Sequence, residues 1–212
     1  PLFERLGIPT HFLPEIVQPG TVLGQLLNEV ADATGCAGTQ VVAGASHDTP
    51  SAVAAIPLRS PSTAYISSGT WSLIGLEVTD PVVTEATLAA NLTNEGGYAD
   101  TITLLRNNMG TWPVQQSRKT LWPGDNAPSY EEICDLAETA PQWTAFIDPD
   151  EARFLWPGDM PTRIREYCEE TGQPVPFETA TLFRVIFESL ALKYAWVVDR
   201  LATATGTEID QI

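Results

Sequence analysis

The feature that most constrains this chain is a junction. The apolar run Val41 to Ala43 leads through Ser46, His47, Asp48, Thr49 and Pro50 into the alanine-rich run Ser51 to Ile56. A short β-branched run, then a capping residue, a proline and good helix formers read as a strand passing into a helix. Thr49 is the expected N-cap and Pro50 the first helical residue, because proline lacks the N–H that would have no partner there. Asp48 is then a carboxylate not needed for capping, beside His47, at a strand-to-helix turn of the kind where α/β proteins place their chemistry. An acidic residue near a helix N-terminus is also favoured by the dipole alone, and a histidine after a buried strand can be a satisfied polar group. Ser46, His47 and Asp48 do not suit a hydrolytic triad, since neighbours on an extended chain point to opposite faces. The chain has no glycine-flanked serine elbow.

About twenty residues on, Ala64 to Ile66 and Ser72 to Val78 are β-rich runs joined by Ser67, Ser68, Gly69, Thr70 and Trp71. They predict a hairpin whose turn offers hydroxyls and backbone N–H groups. Such a turn can cradle a phosphate without a basic side chain. Trp71 is expected to pack beside it, and Asn94 to Gly97 to form a turn of purely geometric origin. A third strand is predicted over Thr101 to Leu105, with Asn107 just after it and Gln115 in a helix beginning near Thr111. Their amides suit hydroxyls and phosphate oxygens, and equally a helix cap and a solvated face.

Four runs carry a family resemblance: Ala45-Ser46-His47-Asp48-Thr49, Ser67-Ser68-Gly69-Thr70-Trp71-Ser72-Leu73, Asn91-Leu92-Thr93-Asn94-Glu95-Gly96-Gly97 and Arg106-Asn107-Asn108-Met109-Gly110. In order and spacing, from about Val41 to Gln116, the chain resembles the FGGY carbohydrate kinases and, within them, the rhamnulokinase branch. The resemblance implies a partial α/β, ribonuclease-H-like sugar-kinase fold of the actin and hexokinase type. It implies ATP-dependent phosphorylation of L-rhamnulose to its 1-phosphate, with ATP and Mg²⁺ as cofactors. Asp48 would be the base, His47 would contact the sugar, and Gly69, Thr70, Asn107 and Gln115 would contact the nucleotide; no metal ligand is implied. Another ketose or polyol kinase of the family, or a non-catalytic actin-like binding module, is the alternative.

On the same resemblance, residues 1–57 are expected to be the end of an N-terminal sugar-binding domain. Residues 62–212 are expected to begin a C-terminal nucleotide-binding domain, after a connector at Pro57 to Ser62. The family's early Asp-x-Gly-Thr loop and late glycine-rich adenosine loop are not found here. The segment is therefore expected to be internal, inert alone, and partnered by sugar, ATP and the rest of the kinase chain. Open sheet edges would favour self-association.

A formal charge of −16, with 11 Lys and Arg, disfavours nucleic acid as a partner. No apolar stretch reaches membrane-spanning length and no signal-peptide pattern opens the chain, so a cytoplasmic enzyme is expected. Cys36, Cys134 and Cys168 lack disulfide or zinc spacing. Helices are predicted over Thr21 to Thr34 closed by Gly35, Tyr130 to Thr139 behind a Ser129 and Glu132 capping box, Thr162 to Glu170, and Phe177 to Thr205 before Gly206. Trp143 to Met160, rich in proline and glycine turns, reads as a surface excursion.

Overall fold

The computed structural model describes residues 2–45, 47–58 and 60–212. Ser46 of the junction and Arg59 of the connector lie outside the described residues. A helix α1 (Leu2–Leu6) precedes a two-stranded antiparallel sheet, β1 (Val22–Gln25) on β2 (Gln40–Val42), with α2 (Asn28–Thr34) between the strands. Only the second half of the helix expected from Thr21 exists. Val22, Gly24 and Gln25 pair with β2 instead, with a register shift between Val22 and Gly24, the latter at φ 152°. Gly35 does close α2, in the left-handed region at φ 72°. From residue 2 to residue 45 the one buried residue is Ala31, so this part contributes almost nothing to the core.

The helix α3 (Asp48–Ala55) leads to the main sheet: β3 (Tyr65–Ser68), β4 (Trp71–Val78), then, after α4 (Glu85–Ala89), β5 (Thr93–Gly96) and β6 (Ile102–Met109). The order is β3-β4-β6-β5, with every pair antiparallel. The predicted hairpin is β3 and β4. Of the residues expected as a turn, Asn94 to Gly97, the first three belong to β5, an edge strand, where glycine and asparagine are tolerated because only one side pairs. The third strand runs four residues past its predicted end, to Met109, and so contains Asn107. Its polar residues are held from the side: buried Asn108 donates to Ser72 O at 3.4 Å and to Arg106 O at 3.2 Å, and accepts from Arg106 Nε at 2.8 Å.

Four helices follow: α5 (Trp112–Leu121), α6 (Tyr130–Glu138), α7 (Met160–Glu170) and α8 (Thr179–Thr205). The capping box is present, with Ser129 Oγ accepting from Glu132 N–H at 3.1 Å and Glu132 from Ser129 N–H at 2.7 Å. Those bonds hold the exposed Glu132 carboxyl below its ordinary pKa. The long helix stops at Gly206 (φ 67°). Its first half buries Leu182, Phe183, Val185 and Ile186 among α5, α6 and α7; further along, Val197 and Leu201 pack with Ala64, just before β3, and with Ile74, Leu76 and Leu104 of the sheet. One amphipathic helix thereby joins the helical layer to the sheet. At the sheet's β3 edge, Gln211 forms a parallel bridge with Thr63 and accepts from Ala64 N–H at 2.9 Å. Among the described residues no helix is long and apolar enough to cross a membrane.

Residues 143 to 160 are not a surface excursion. Ala145, Ile147, Phe154 and Met160 are buried, Phe154 in a 3₁₀ turn (Ala152–Phe154) with its ring tilted against that of Tyr167. Side chains replace the missing strand partners: Trp143 N–H donates to Glu188 Oε2 at 2.8 Å, Phe146 N–H to Gln173 Oε1 at 2.8 Å, and Ile147 N–H to Ser189 Oγ at 3.0 Å. Buried backbone must find partners, and here α8 and the loop after α7 supply them.

Asp150 lies at the centre of this arrangement. Its Oδ1 accepts from Met109 N–H at 2.7 Å, and its Oδ2 from Arg106 at 2.9 Å and Lys193 at 2.9 Å. Burial pushes the carboxyl's pKa up, but the Met109 N–H, Lys193 and Arg106 together bring it below the usual carboxylate range. A carboxyl depressed in the folded state contributes stability above its unfolded pKa, and that contribution is lost as pH falls through the folded value. Asp150→Asn should cost about 1.5–3 kcal/mol at pH 7 by urea denaturation, since it weakens bonds to charged partners. Below about pH 4 the wild type should lose stability more steeply than the variant. Parallel pH profiles would exclude Asp150 as the acid-sensitive group.

Candidate functional site

Cross-strand register builds the floor of the site. Ser67 of β3 lies opposite Leu73 of β4, which lies opposite Asn107 of β6, so the three form one row on one face of the sheet. On that face Val53 of α3 packs against Tyr65 and Leu105, with Ile56, Leu58 and Leu73 around them. This sets the start of α3 above the row. Between them opens a cleft of about 760 Å³ lined by His47, Asp48, Thr49 and Ala52 on one side and by Ser67 to Trp71, Leu73, Glu95 and Asn107 on the other. His47, Asp48, Gly69, Thr70 and Asn107, singled out in the sequence, all line it; Gln115 lies behind the hairpin loop, bonded to Thr70.

The junction differs from the expectation in one respect. His47 is the N-cap, its Nδ1 accepting from Thr49 N–H at 3.3 Å, and Asp48 is the first helical residue. Pro50 is third, still among the four leading positions whose N–H has no intrahelical partner, so it imposes no later start. An Nδ1 that accepts from Thr49 carries no proton to share with Asp48, although Asp48 Oδ1 is 3.4 Å away. The capping bond corresponds to the neutral tautomer with its hydrogen on Nε2. The Asp48 side chain is 93% exposed and His47 60%, so both are open to a ligand. Trp71, expected to be packed, is 50% exposed and lines the cleft.

The hairpin loop is held by its carbonyls. Gly69 O accepts from Thr111 N–H at 2.8 Å and from Thr111 Oγ1 at 2.8 Å, and Thr70 O accepts from Gly110 N–H at 3.0 Å. Gly110 makes this approach possible: a Cβ there would collide with Gly69 O and would lie 2.7 Å from both Ser72 Oγ and the Trp71 carbonyl carbon. Only glycine lets the turn from β6 into α5 pass so close to the loop. Gly110, Thr111 and Glu95 carry no site role in the sequence reading, because their positions emerge from pairing between distant strands. Farther along the same face, Tyr65 places its hydroxyl over Gly75, where burial, and after it Glu95 and Glu77, raise its pKa above the ordinary range.

Against known proteins, the model of the FGGY family of carbohydrate kinases, C-terminal domain, matches residues 64–212. The chain belongs to the FGGY family of carbohydrate kinases. It is 43% identical over 211 residues to a rhamnulokinase of Bacteroides thetaiotaomicron, covering 100% of this chain and 43% of that protein. With a rhamnulokinase of Enterococcus faecalis it shares 40% identity over 98% of this chain and 41% of that protein. The chain thus spans about two fifths of the length of these relatives. Its fold is similar to the crystal structure of xylulose kinase from Rhodospirillum rubrum, with TM-score 0.67 and 16% identity over 100% of this chain and 41% of that one. Gluconate kinase from Lactobacillus acidophilus is similar at TM-score 0.63 and 21% identity, over 94% of this chain and 40% of that one. The FGGY fold expected from the sequence, actin- and hexokinase-like and here present in part, is therefore the one observed.

Gly110→Ala should lower stability by about 1–3 kcal/mol through overpacking and shift the amide resonances of Gly69 and Thr70. Gly96→Ala, where a Cβ meets nothing within 4 Å, should leave those resonances in place. Unmoved loop resonances in Gly110→Ala would refute the close contact.

Proposed function

We propose that this chain is part of an ATP-dependent kinase that converts L-rhamnulose to L-rhamnulose 1-phosphate. The observation that carries the reading is the cleft itself, in which an exposed carboxylate at a helix start faces a hairpin loop of hydroxyls and main-chain groups. Identity of about 40% to rhamnulokinases supports the choice of sugar. Residues 1–57 would belong to the sugar-binding domain and 62–212 to the nucleotide-binding domain. The exposed apolar side chains between Leu2 and Val42 fit a surface covered by other parts of a longer kinase chain. A cytoplasmic location fits a kinase that draws on ATP.

In this reading Asp48 accepts the proton of the sugar hydroxyl as its oxygen attacks the γ-phosphorus of ATP and the bond to ADP breaks. The proton ends on the carboxylate and the electron pair on ADP. Phosphoryl transfer has a loose transition state, so Asp48 acts chiefly by orienting the nucleophile, worth on the order of 10²–10⁴ in rate. His47, with its hydrogen on Nε2, can donate to a sugar oxygen while its other nitrogen holds the cap. Gly69 and Thr70 would meet the phosphates, and Asn107, on the floor, would meet the nucleotide side.

Mg²⁺ fits the cleft on chemical grounds. Its lining includes Asp48 and Glu95 but neither lysine nor arginine, so a polyphosphate needs its own counter-charge there. The described residues hold no group of three or more His, Cys, Asp or Glu placed to bind a metal. Bound there, Mg²⁺ would neutralise charge on the phosphate oxygens.

In the full-length protein, Asp48→Asn should reduce kcat at least about a hundredfold while ATP binding by calorimetry is preserved. Retention of more than about a hundredth of the rate would remove Asp48 from this role. In a panel of ketoses and polyols, L-rhamnulose should give the highest kcat/KM. A higher value for another sugar would reassign the substrate.

A further inference from the structure

We infer that Thr111 is a positioning residue that orients the hydroxyl of Thr70 as a donor toward phosphate; this rests on the kinase reading above. The inference follows from counting hydrogens. A threonine hydroxyl has one proton, and Thr111 gives it to Gly69 O at 2.8 Å. Toward any other neighbour Thr111 Oγ1 can then only accept. Its other neighbour is Gln115, whose Nε2 lies 3.1 Å away. The amide must present nitrogen there, because an amide oxygen would face a hydroxyl oxygen with no hydrogen between them. Thr111 therefore sets which way round the Gln115 amide sits.

The same Nε2 has a second hydrogen, which reaches Thr70 Oγ1 at 3.2 Å. Thr70 accepts at that contact, leaving its own proton for another acceptor. Within the protein that acceptor is Gln115 Oε1 at 3.4 Å, long for a hydroxyl donor, whose bonds cluster near 2.7–2.8 Å. An anionic oxygen in the cleft, which Thr70 lines, would form a shorter, charge-assisted bond. The chain of bonds thus runs from Gln115 to Thr111 to Gly69 O on one side, and from Gln115 to Thr70 to the ligand on the other. Both Nε2 hydrogens of Gln115 are engaged inside the protein. Gln115 would then act on the nucleotide through Thr70, with its nitrogen unavailable to the ligand.

Without the Thr111 hydroxyl the amide is free to turn over. Its oxygen would then face Thr70, take that proton and remove the donor from the cleft. Thr111→Val keeps the shape and deletes the hydroxyl; Thr111→Ser keeps the hydroxyl. In the full-length protein, Thr111→Val should weaken binding of ATP with Mg²⁺ and lower kcat, each about tenfold, as expected for loss of one bond to a charged group. The KM for sugar should stay within about twofold, and Thr111→Ser should restore wild-type values. If Thr111→Val does not fold, Thr111→Ala provides the same comparison against the serine variant. Unchanged ATP affinity in the hydroxyl-free variant, or equal damage in the serine variant, overturns the inference. If the wild type binds ATP but phosphorylates no sugar, the kinase reading falls, and weaker ATP binding by Thr111→Val still upholds the role of Thr111. If the wild type does not bind ATP, both fall.

Discussion

A single carboxylate, that of Asp150, holds the sheet, the irregular segment and the long helix in register. It caps the last N–H of β6 at Met109 and pairs with Arg106 from the sheet and Lys193 from α8. Each element alone would leave a buried donor or a charge without a partner, and burial makes such vacancies costly. The turn that follows Met109 is Gly110-Thr111, the part of the chain that grips the hairpin loop. The geometry of the cleft floor is therefore inherited from an ion cluster on the far side of the strand end. A second tie runs through Ser72, whose hydroxyl meets Tyr194 of α8 at 2.5 Å.

The basic side chains are mostly committed to such structural tasks. Arg106, Lys193 and Arg200 gather over the ring of Trp196 at 5.1, 5.2 and 5.8 Å from its centroid. Arg184 pairs with buried Glu188 at 2.6 Å, and Arg153 with Glu151 and Glu170. Arg118 binds the carbonyls of Ala127 and Pro128. In a chain of net charge −16, this leaves the cleft to work with dipoles and hydroxyls, which recognise phosphate by direction more than by charge.

Local signals were legible and non-local ones were not. The capping box at Ser129, the glycine stops at residues 35 and 206, the β3–β4 hairpin and the long helix all depend on neighbours within a turn or two, and all were readable. The strands β1 and β5 were missed because their residues pair only when a distant partner is present. Residues 143 to 160 were misread since proline and glycine mark turns without saying whether a turn is buried, and here side chains of α8 satisfy its backbone. At the site, Asp48, His47, Gly69, Thr70 and Asn107 could be named from local pattern and resemblance, and they do share one cleft. That His47 caps the helix could not be read, because histidine is an unusual N-cap and Thr49 a common one. Glu95, Gly110 and Thr111 acquire their places from strand register alone.

The hairpin loop is anchored through the carbonyls of Gly69 and Thr70, with the side chain of Trp71 half exposed. Main-chain anchoring separates the loop's path from the identity of the groups it displays. Exchanges at position 71 can alter what the cleft recognises with little disturbance to the frame. Related chains could therefore diverge in ligand preference at this tip while preserving one backbone, and directed evolution could vary it without first securing extra stability.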